Sequence, residues 1–251
     1  IVRAELGAAA VFSGITTRTW PATNGLLKAA DALEIARPES GPYLVSTTAI
    51  AVENTHNFGG GTVQPISEIA ALHAGAQKLG LALHLDGARI WNAHVASGVS
   101  FLEYGKYFET ISVCLSKGLG APVGSVMLST KDRVAKARVW RKRYGAGMRQ
   151  VGLLAAGAHY ALDNNIPRLS EDHRRAKELA VVNRPDYCVC CHKAYKTEDR
   201  TFKYRNSESW YFEYHHVISF GNKTINTESP DNYAKLCPAC HRALTPHRAD
   251  E

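Results

Sequence analysis

The chain has 251 residues, with 30 Lys and Arg against 23 Asp and Glu, for a formal charge of +7. Apolar residues make up 45% and charged residues 21%, which excludes a disordered or low-complexity chain and allows one large domain or two smaller ones with a sizeable core. No apolar run approaches the ~18–20 residues of a membrane span, and no basic start followed by an apolar stretch reads as a signal peptide.

A cytoplasmic protein with no membrane partner is therefore expected. The first residue is Ile1 rather than Met, and the expectation is a fragment or a processed form. Composition changes near residue 180. Residues 1–180 hold 20 Lys and Arg against 14 Asp and Glu, and the remainder 10 against 9. Cys114 stands alone in the first part, whereas Cys188, Cys190, Cys191, Cys237 and Cys240 crowd into the second. Two compositions imply two modules, 1–180 and 181–251.

In chain order, Tyr43 to Val52 is a short apolar, β-branched run and reads as a strand. Ile66 to Leu79 places Ile66, Ile69, Ala70, His73, Ala76 and Leu79 near a helical period, and Gly80 stops that helix. Leu81, Leu83 and Leu85 alternate through a strand ending at Asp86. Ile111 to Leu115 is another strand, followed at once by Ser116, Lys117 and Gly118, and Gly124 to Leu128 is a further one. Lys131 to Arg143, Gln150 to Asp163 and Arg168 to Ala180 read as helices. Strands alternating with helices give an α/β layer with a mostly parallel sheet. Ligands of such sheets sit beyond the carboxyl ends of the strands, where Asp86 and Lys117 both fall.

A lysine just beyond a buried strand, among glycines that permit close approach, suits Schiff-base chemistry. A carboxylate at a neighbouring strand end suits holding a pyridinium nitrogen protonated. The plainer alternative is that Lys117 caps a turn and Asp86 pairs with Arg89. The run from Gly118 to Gly124 has the wrong spacing for a nucleotide-binding glycine motif, and Pro122 interrupts it.

The blocks VENTHNFGGGTV (52–63), LHLDGARIWNAHV (83–95), SVCLSKGLGAPVGSV (112–126) and RKRYGAGMRQ (141–150) resemble the low-specificity threonine aldolase family. The resemblance runs through nearly all of residues 1–180. It implies a partial large domain of a fold-type I pyridoxal-phosphate (PLP) enzyme, a lyase that cleaves β-hydroxy-α-amino acids such as threonine to glycine and an aldehyde. It implies that Lys117 carries the cofactor's Schiff base and Asp86 pairs with its pyridine nitrogen. Arg89 would hold the substrate carboxylate. Ser116, Lys142 and Arg149 fall at cofactor-site positions, and full members are homo-oligomers. Such members extend further at both ends, so the expectation is an aldolase signature more than a working aldolase.

In the second module, Cys188-x-x-Cys191 and Cys237-x-x-Cys240 offer four thiolates to one structural zinc. Between them lies Glu213 to Phe220, an alternating segment that reads as a strand and carries His215 and His216; Asn232 precedes the second pair and His241 follows it. These pieces resemble the HNH endonucleases with two CxxC zinc pairs, and imply a ββα-metal finger acting on DNA. By that resemblance His216 is the general base, Asn232 fixes the loop, and His215 and His241 hold a catalytic divalent ion such as Mg2+. Two alternatives stay open: that only the nuclease-like module is functional and the aldolase-like part is a remnant, and that the second module is a non-catalytic zinc-stabilised interaction unit. The whole chain then reads as an aldolase segment joined to a nuclease module.

Overall fold

The structure, a computed structural model, describes residues 4–181, Lys196, and the segments 213–216 and 233–236, with side chains placed for 4–177 and 196. The chain divides into two compact units, Ile1–Ser170 and Glu171–Glu251.

The first unit is built on a four-stranded sheet. Its strands lie side by side in chain order: β1 (Ala49–Glu53), β2 (Ala82–Gly87), β3 (Thr110–Cys114) and β4 (Ser125–Leu128). The first three are parallel, and β4 runs antiparallel to β3. The α/β layer is as expected from the sequence, with β4 as the one reversed strand. Along β2, Leu83, Leu85 and Gly87 are buried, while Ala82, His84 and Asp86 are half-buried. The period-2 alternation therefore aims leucines at the core and chemistry-bearing residues at the other face.

The strand read over Tyr43 to Val52 needs correction. It starts at Ala49, and Tyr43 and Leu44 are 94% and 72% exposed. Ala49 is already opposite Ala82, the first residue of β2, and the Thr48 carbonyl accepts the Ala82 N–H at 3.1 Å, so residues before Thr48 have no ladder partner among the described residues. They are tied instead to the preceding chain: Arg18 donates to the Val45 carbonyl at 2.6 Å and Thr47 N–H to the Arg37 carbonyl at 2.7 Å.

Helices pack into the core that these leucines share. The first expected helix is Ile66–Lys78, where Ile69, Leu72 and Ala76 are buried at helical spacing. Gly80 follows at φ +66°, the left-handed turn that ends it. Four shorter helices precede or follow it without having been expected: α1 (Ala8–Ser13), α2 (Ala29–Ile35) and, after β2, Ile90–Ser97 and Phe101–Gly105, which take the labels α4 and α5 with Ile66–Lys78 as α3. A Cβ on Gly75 of α3 would stand 2.3 Å from Leu33 Cδ1, so α2 lies directly against α3 at that glycine. The expected later helices form as α6 (Lys131–Arg143), α7 (Gly152–Asn164) and α8 (Leu169–Val181). Leu169 is fully buried in the same core as Leu72, Leu83 and Leu85. No helix among the described residues is long and apolar enough to cross a membrane.

In the second unit, β5 (Glu213–His216) pairs antiparallel with β6 (Tyr233–Leu236), setting His215 opposite Ala234 and His216 opposite Tyr233. The strand read over Glu213 to Phe220 is present for its first four residues, and 217–220 lie outside the described residues.

Candidate active site

The parallel register places Glu53, Asp86 and Ser112 in one row across β1, β2 and β3. His84 forms the row behind it, between Ala51 and Thr110. Parallel neighbours share a face, so a carboxylate-bearing row lies at the carboxyl end of the sheet. Asp86 Oδ1 accepts the Ala88 N–H at 3.2 Å, and the Asp86 carbonyl accepts the Asn54 N–H at 3.0 Å. The half-buried Asp86 pairs with no cation among the described residues, so the alternative pairing with Arg89 does not form. Arg89 sits half-buried at the N-cap of α4, where its carbonyl receives the Asn92 and Ala93 N–H groups.

Lys117 leaves the end of β3 on a loop whose backbone is held from three sides. Trp91 Nε1 donates to the Cys114 carbonyl at 2.8 Å. Asn165 Nδ2 donates to the Leu119 carbonyl at 2.6 Å, and Leu119 is fully buried. A Cβ on Gly118 would come within 3.0 Å of Leu169 and 3.1 Å of Asn92, so only glycine leaves those neighbours in place. The Lys117 carbonyl accepts the Gly120 N–H at 2.8 Å, which is the turn the plainer reading expected. The Lys117 side chain is nonetheless exposed, and it makes no ion pair among the described residues. A fixed backbone with a free amine is the arrangement a covalent anchor requires.

Ser116 is exposed beside Lys117, and its hydroxyl lies 3.4 Å from the buried Cys114 thiol. Burial pushes that thiol up, but hydrogen bonds with Ser116 and Ser125 and the nearby Lys117 charge outweigh it, so the thiol titrates below its ordinary value. His84 Nδ1 lies 2.8 Å from Thr110 Oγ1. Burial holds its imidazole below the usual value against the attraction of Asp86 and the bond at Thr110.

Lys142 and Arg149, expected near the cofactor, are both exposed. No hydrogen bond or ion pair among the described residues joins either to Asp86, Arg89 or Lys117. The Lys142 stem lies against Gly147, where a Cβ would come within 2.6 Å of it. The expected zinc ligands Cys188, Cys191, Cys237 and Cys240, with Asn232 and His241, lie outside the described residues, and for His215 and His216 the backbone strand alone is described. Among the described residues, no group of three or more His, Cys, Asp or Glu is arranged to hold a metal.

The sequence reading missed one feature of this site. Asn54, Thr55 and Gln64 are the buried polar residues of the described chain, and they sit together at the end of β1 beside Asp86. The Gln64 N–H donates to Asn54 Oδ1 at 3.1 Å. Gln64 Nε2 donates to the carbonyls of Gly25 and Glu53 at 2.9 and 3.1 Å, and Gln64 Oε1 accepts the Leu27 N–H at 2.8 Å. Nearby, His56 Nδ1 accepts the Gly59 N–H at 3.0 Å. The signal available in the sequence was the polar run beginning at Glu53. Gln64 itself, between Val63 and Pro65, carries no periodic cue.

A family model described as beta-eliminating lyase matches residues 1–190. The chain is 40% identical over 176 residues to the low specificity L-threonine aldolase of Escherichia coli K12, covering 70% of this chain and 52% of that protein. It is 43% identical over 146 residues to low-specificity L-threonine aldolase 1 of Arabidopsis thaliana, covering 58% of this chain and 41% of that one. Among solved structures it superposes on the Leishmania major threonine aldolase with a TM-score of 0.62 and 25% identity, over 71% of this chain and 52% of the other. The chain spans about half the length of the curated relatives it matches. The family model covers most of the chain, from the start of the sheet to beyond α8, and the strand-end carboxylate and lysine lie within it: the chain belongs to the beta-eliminating lyase family.

Proposed function

We propose that the first unit is a PLP-dependent lyase of the threonine aldolase type, acting on β-hydroxy-α-amino acids. One observation carries the reading. Asp86 and Lys117 emerge from the carboxyl ends of neighbouring parallel strands, one carboxylate without a cation and one amine without an anion among the described residues. These residues fit PLP by the chemistry of the donor set: an unpaired carboxylate for a pyridine nitrogen, and an exposed amine on a rigid loop for an aldehyde. When bound, PLP supplies an electron sink for the carbon left behind as the Cα–Cβ bond breaks. Asp86 would hold the ring nitrogen protonated, its Oδ1 already accepting the Ala88 N–H. Lys117 Nζ would be the covalent attachment point, and the Ser116 hydroxyl beside it would offer a polar contact to the cofactor. Arg89, three residues past Asp86 and in no ion pair among the described residues, would bind the substrate carboxylate. Lys142 and Arg149 add positive charge toward an anionic cofactor and substrate.

The test is borohydride reduction of the chain loaded with PLP, followed by peptide mass spectrometry. The expected result is a stable pyridoxyl label on the Lys117 peptide, absent from Lys117→Ala, with glycine and acetaldehyde formed from threonine before reduction. A label spread over exposed lysines, equal in the two proteins, would overturn the reading.

A second reading concerns the other unit. We infer an HNH-type, zinc-supported nuclease finger there. It is supported by the two CxxC pairs and by the antiparallel pairing of the strand bearing His215 and His216 with Tyr233–Leu236, directly after Asn232. In that reading His216 activates water, and His215 and His241 hold the divalent ion against a DNA phosphate.

A further inference from the structure

We propose that Gln64 is a positioning residue for Asp86, acting through Asn54 and the joined ends of β1 and β2; the inference rests on the PLP-site reading above. Burying an amide is costly unless it is hydrogen-bonded, so where a fold buries amides is informative. Here Asn54 is fully buried and Gln64 is 3% exposed, and both flank the strand end that carries Asp86. Gln64 uses its acceptor and both donors, and so ties three chain segments together: the turn at Gly25, the start of the next segment at Leu27, and the Glu53 carbonyl at the end of β1. Its backbone N–H then fixes the Asn54 side chain through Oδ1. Asn54 in turn extends the β1–β2 ladder one residue past the strand by donating its N–H to the Asp86 carbonyl. Asp86 Oδ1 receives the Ala88 N–H, so the carboxylate orientation follows the local backbone.

Asn54 Nδ2 finds no acceptor among the described residues despite full burial. A buried donor without a partner is a cost that general stability does not favour. The cluster is therefore not optimised for stability alone. Replacing Asn54 by an apolar residue would remove that orphan donor but also lose the acceptor for Gln64. Gln64 and Asn54 are both buried, so the proposed effect on chemistry passes through Asp86.

Three variants test this: Gln64→Leu, which removes the whole amide; Gln64→Glu, which keeps an acceptor for Leu27 N–H and loses the donors; and Leu72→Ala, a destabilising core change with no bond to the cluster. PLP affinity and the pH dependence of bound-PLP absorbance are measured for each, with amide exchange at Ala88 in the cofactor-free chain. The expected result is a loss of PLP affinity of about tenfold or more in Gln64→Leu, the scale seen when outer hydrogen bonds to a ligand-holding group are removed. A displaced pH midpoint, faster Ala88 exchange and a smaller change in Gln64→Glu should accompany it. Leu72→Ala should lower stability and leave the pH midpoint in place. Wild-type affinity, midpoint and Ala88 exchange in Gln64→Leu would overturn the inference. If the wild-type chain takes up no PLP at Lys117, the functional reading falls separately, and Ala88 exchange alone decides whether Gln64 holds Asp86: unchanged exchange in Gln64→Leu rejects it.

Discussion

At the level of single residues, the site is legible where chemistry and strand geometry coincide. Asp86 closes an alternating leucine strand and Lys117 follows a β-branched one, and both were placed from those patterns alone. The pairing of Asp86 with Arg89 was equally readable, yet it does not form. Asp86 points along the face of β2 shared with His84, whereas Arg89 lies beyond the turn at the start of α4. Gln64 escaped because its meaning lies in four partners far apart in sequence. His84 gives this scale its own prediction. Its folded-state value lies below the ordinary 6.5 because burial disfavours the cation. The unfolded chain therefore binds the proton first, and the contribution of neutral His84 is present above about 6.5 and lost as pH falls through the folded value. The facing groups are Asp86 and Thr110, with Glu53 in the row beyond. Urea unfolding of the first unit should show stability falling on acidification below about 6.5, with a shallower fall in His84→Asn. An identical slope in that variant would assign the pH dependence to other groups.

Elements were legible in proportion to their length and to how completely one face is buried. The thirteen residues of α3 bury Ile69, Leu72 and Ala76 at helical spacing, and the helix was read almost to the residue. The helices of five to eight residues, α1, α2, α4 and α5, were missed. A stretch that short completes barely two turns, and tertiary contacts decide it more than periodicity does. Strand β1 was overextended for a related reason: Tyr43 to Val45 carry strand-like side chains, but the fold provides no ladder partner for them. The weight carried by α3 is measurable. Leu72 is fully buried in the core shared with Leu83 and Leu85. Leu72→Ala should cost about 2–5 kcal/mol, the transfer term plus the cavity left between helix and sheet. Denaturant midpoints at unchanged slope would report it, and a loss below about 1 kcal/mol would mean that the helix collapses onto the sheet around the gap.

For the whole molecule, the net charge of +7 is misleading if taken as one number. Much of it is carried by α6, which holds Lys131, Arg133, Lys136, Arg138, Arg141, Lys142 and Arg143 against Asp132 and buries no residue. That helix belongs to the first unit, where on the proposed lyase reading an anionic cofactor and substrate would account for part of the positive charge. The second module, with 10 basic and 9 acidic residues over 181–251, must meet a phosphate backbone through placement rather than bulk charge if it is a nuclease. On the zinc reading, its stability has a different source as well. A small module has little core to bury, and metal binding can supply its folding free energy. The purified chain should therefore carry one zinc ion, measured by elemental analysis. Stripping it with a strong chelator should make residues beyond 181 protease-sensitive, while the melting of the first unit stays in place. Cys188→Ser or Cys237→Ser should mimic the chelator, since three thiolates hold zinc less tightly than four. His216→Ala should retain zinc and fold but lose Mg2+-dependent nicking of plasmid DNA. Zinc retained with no nicking in the wild type would leave an interaction module. A zinc-free chain with a protease-resistant second unit would remove the metal from the account altogether.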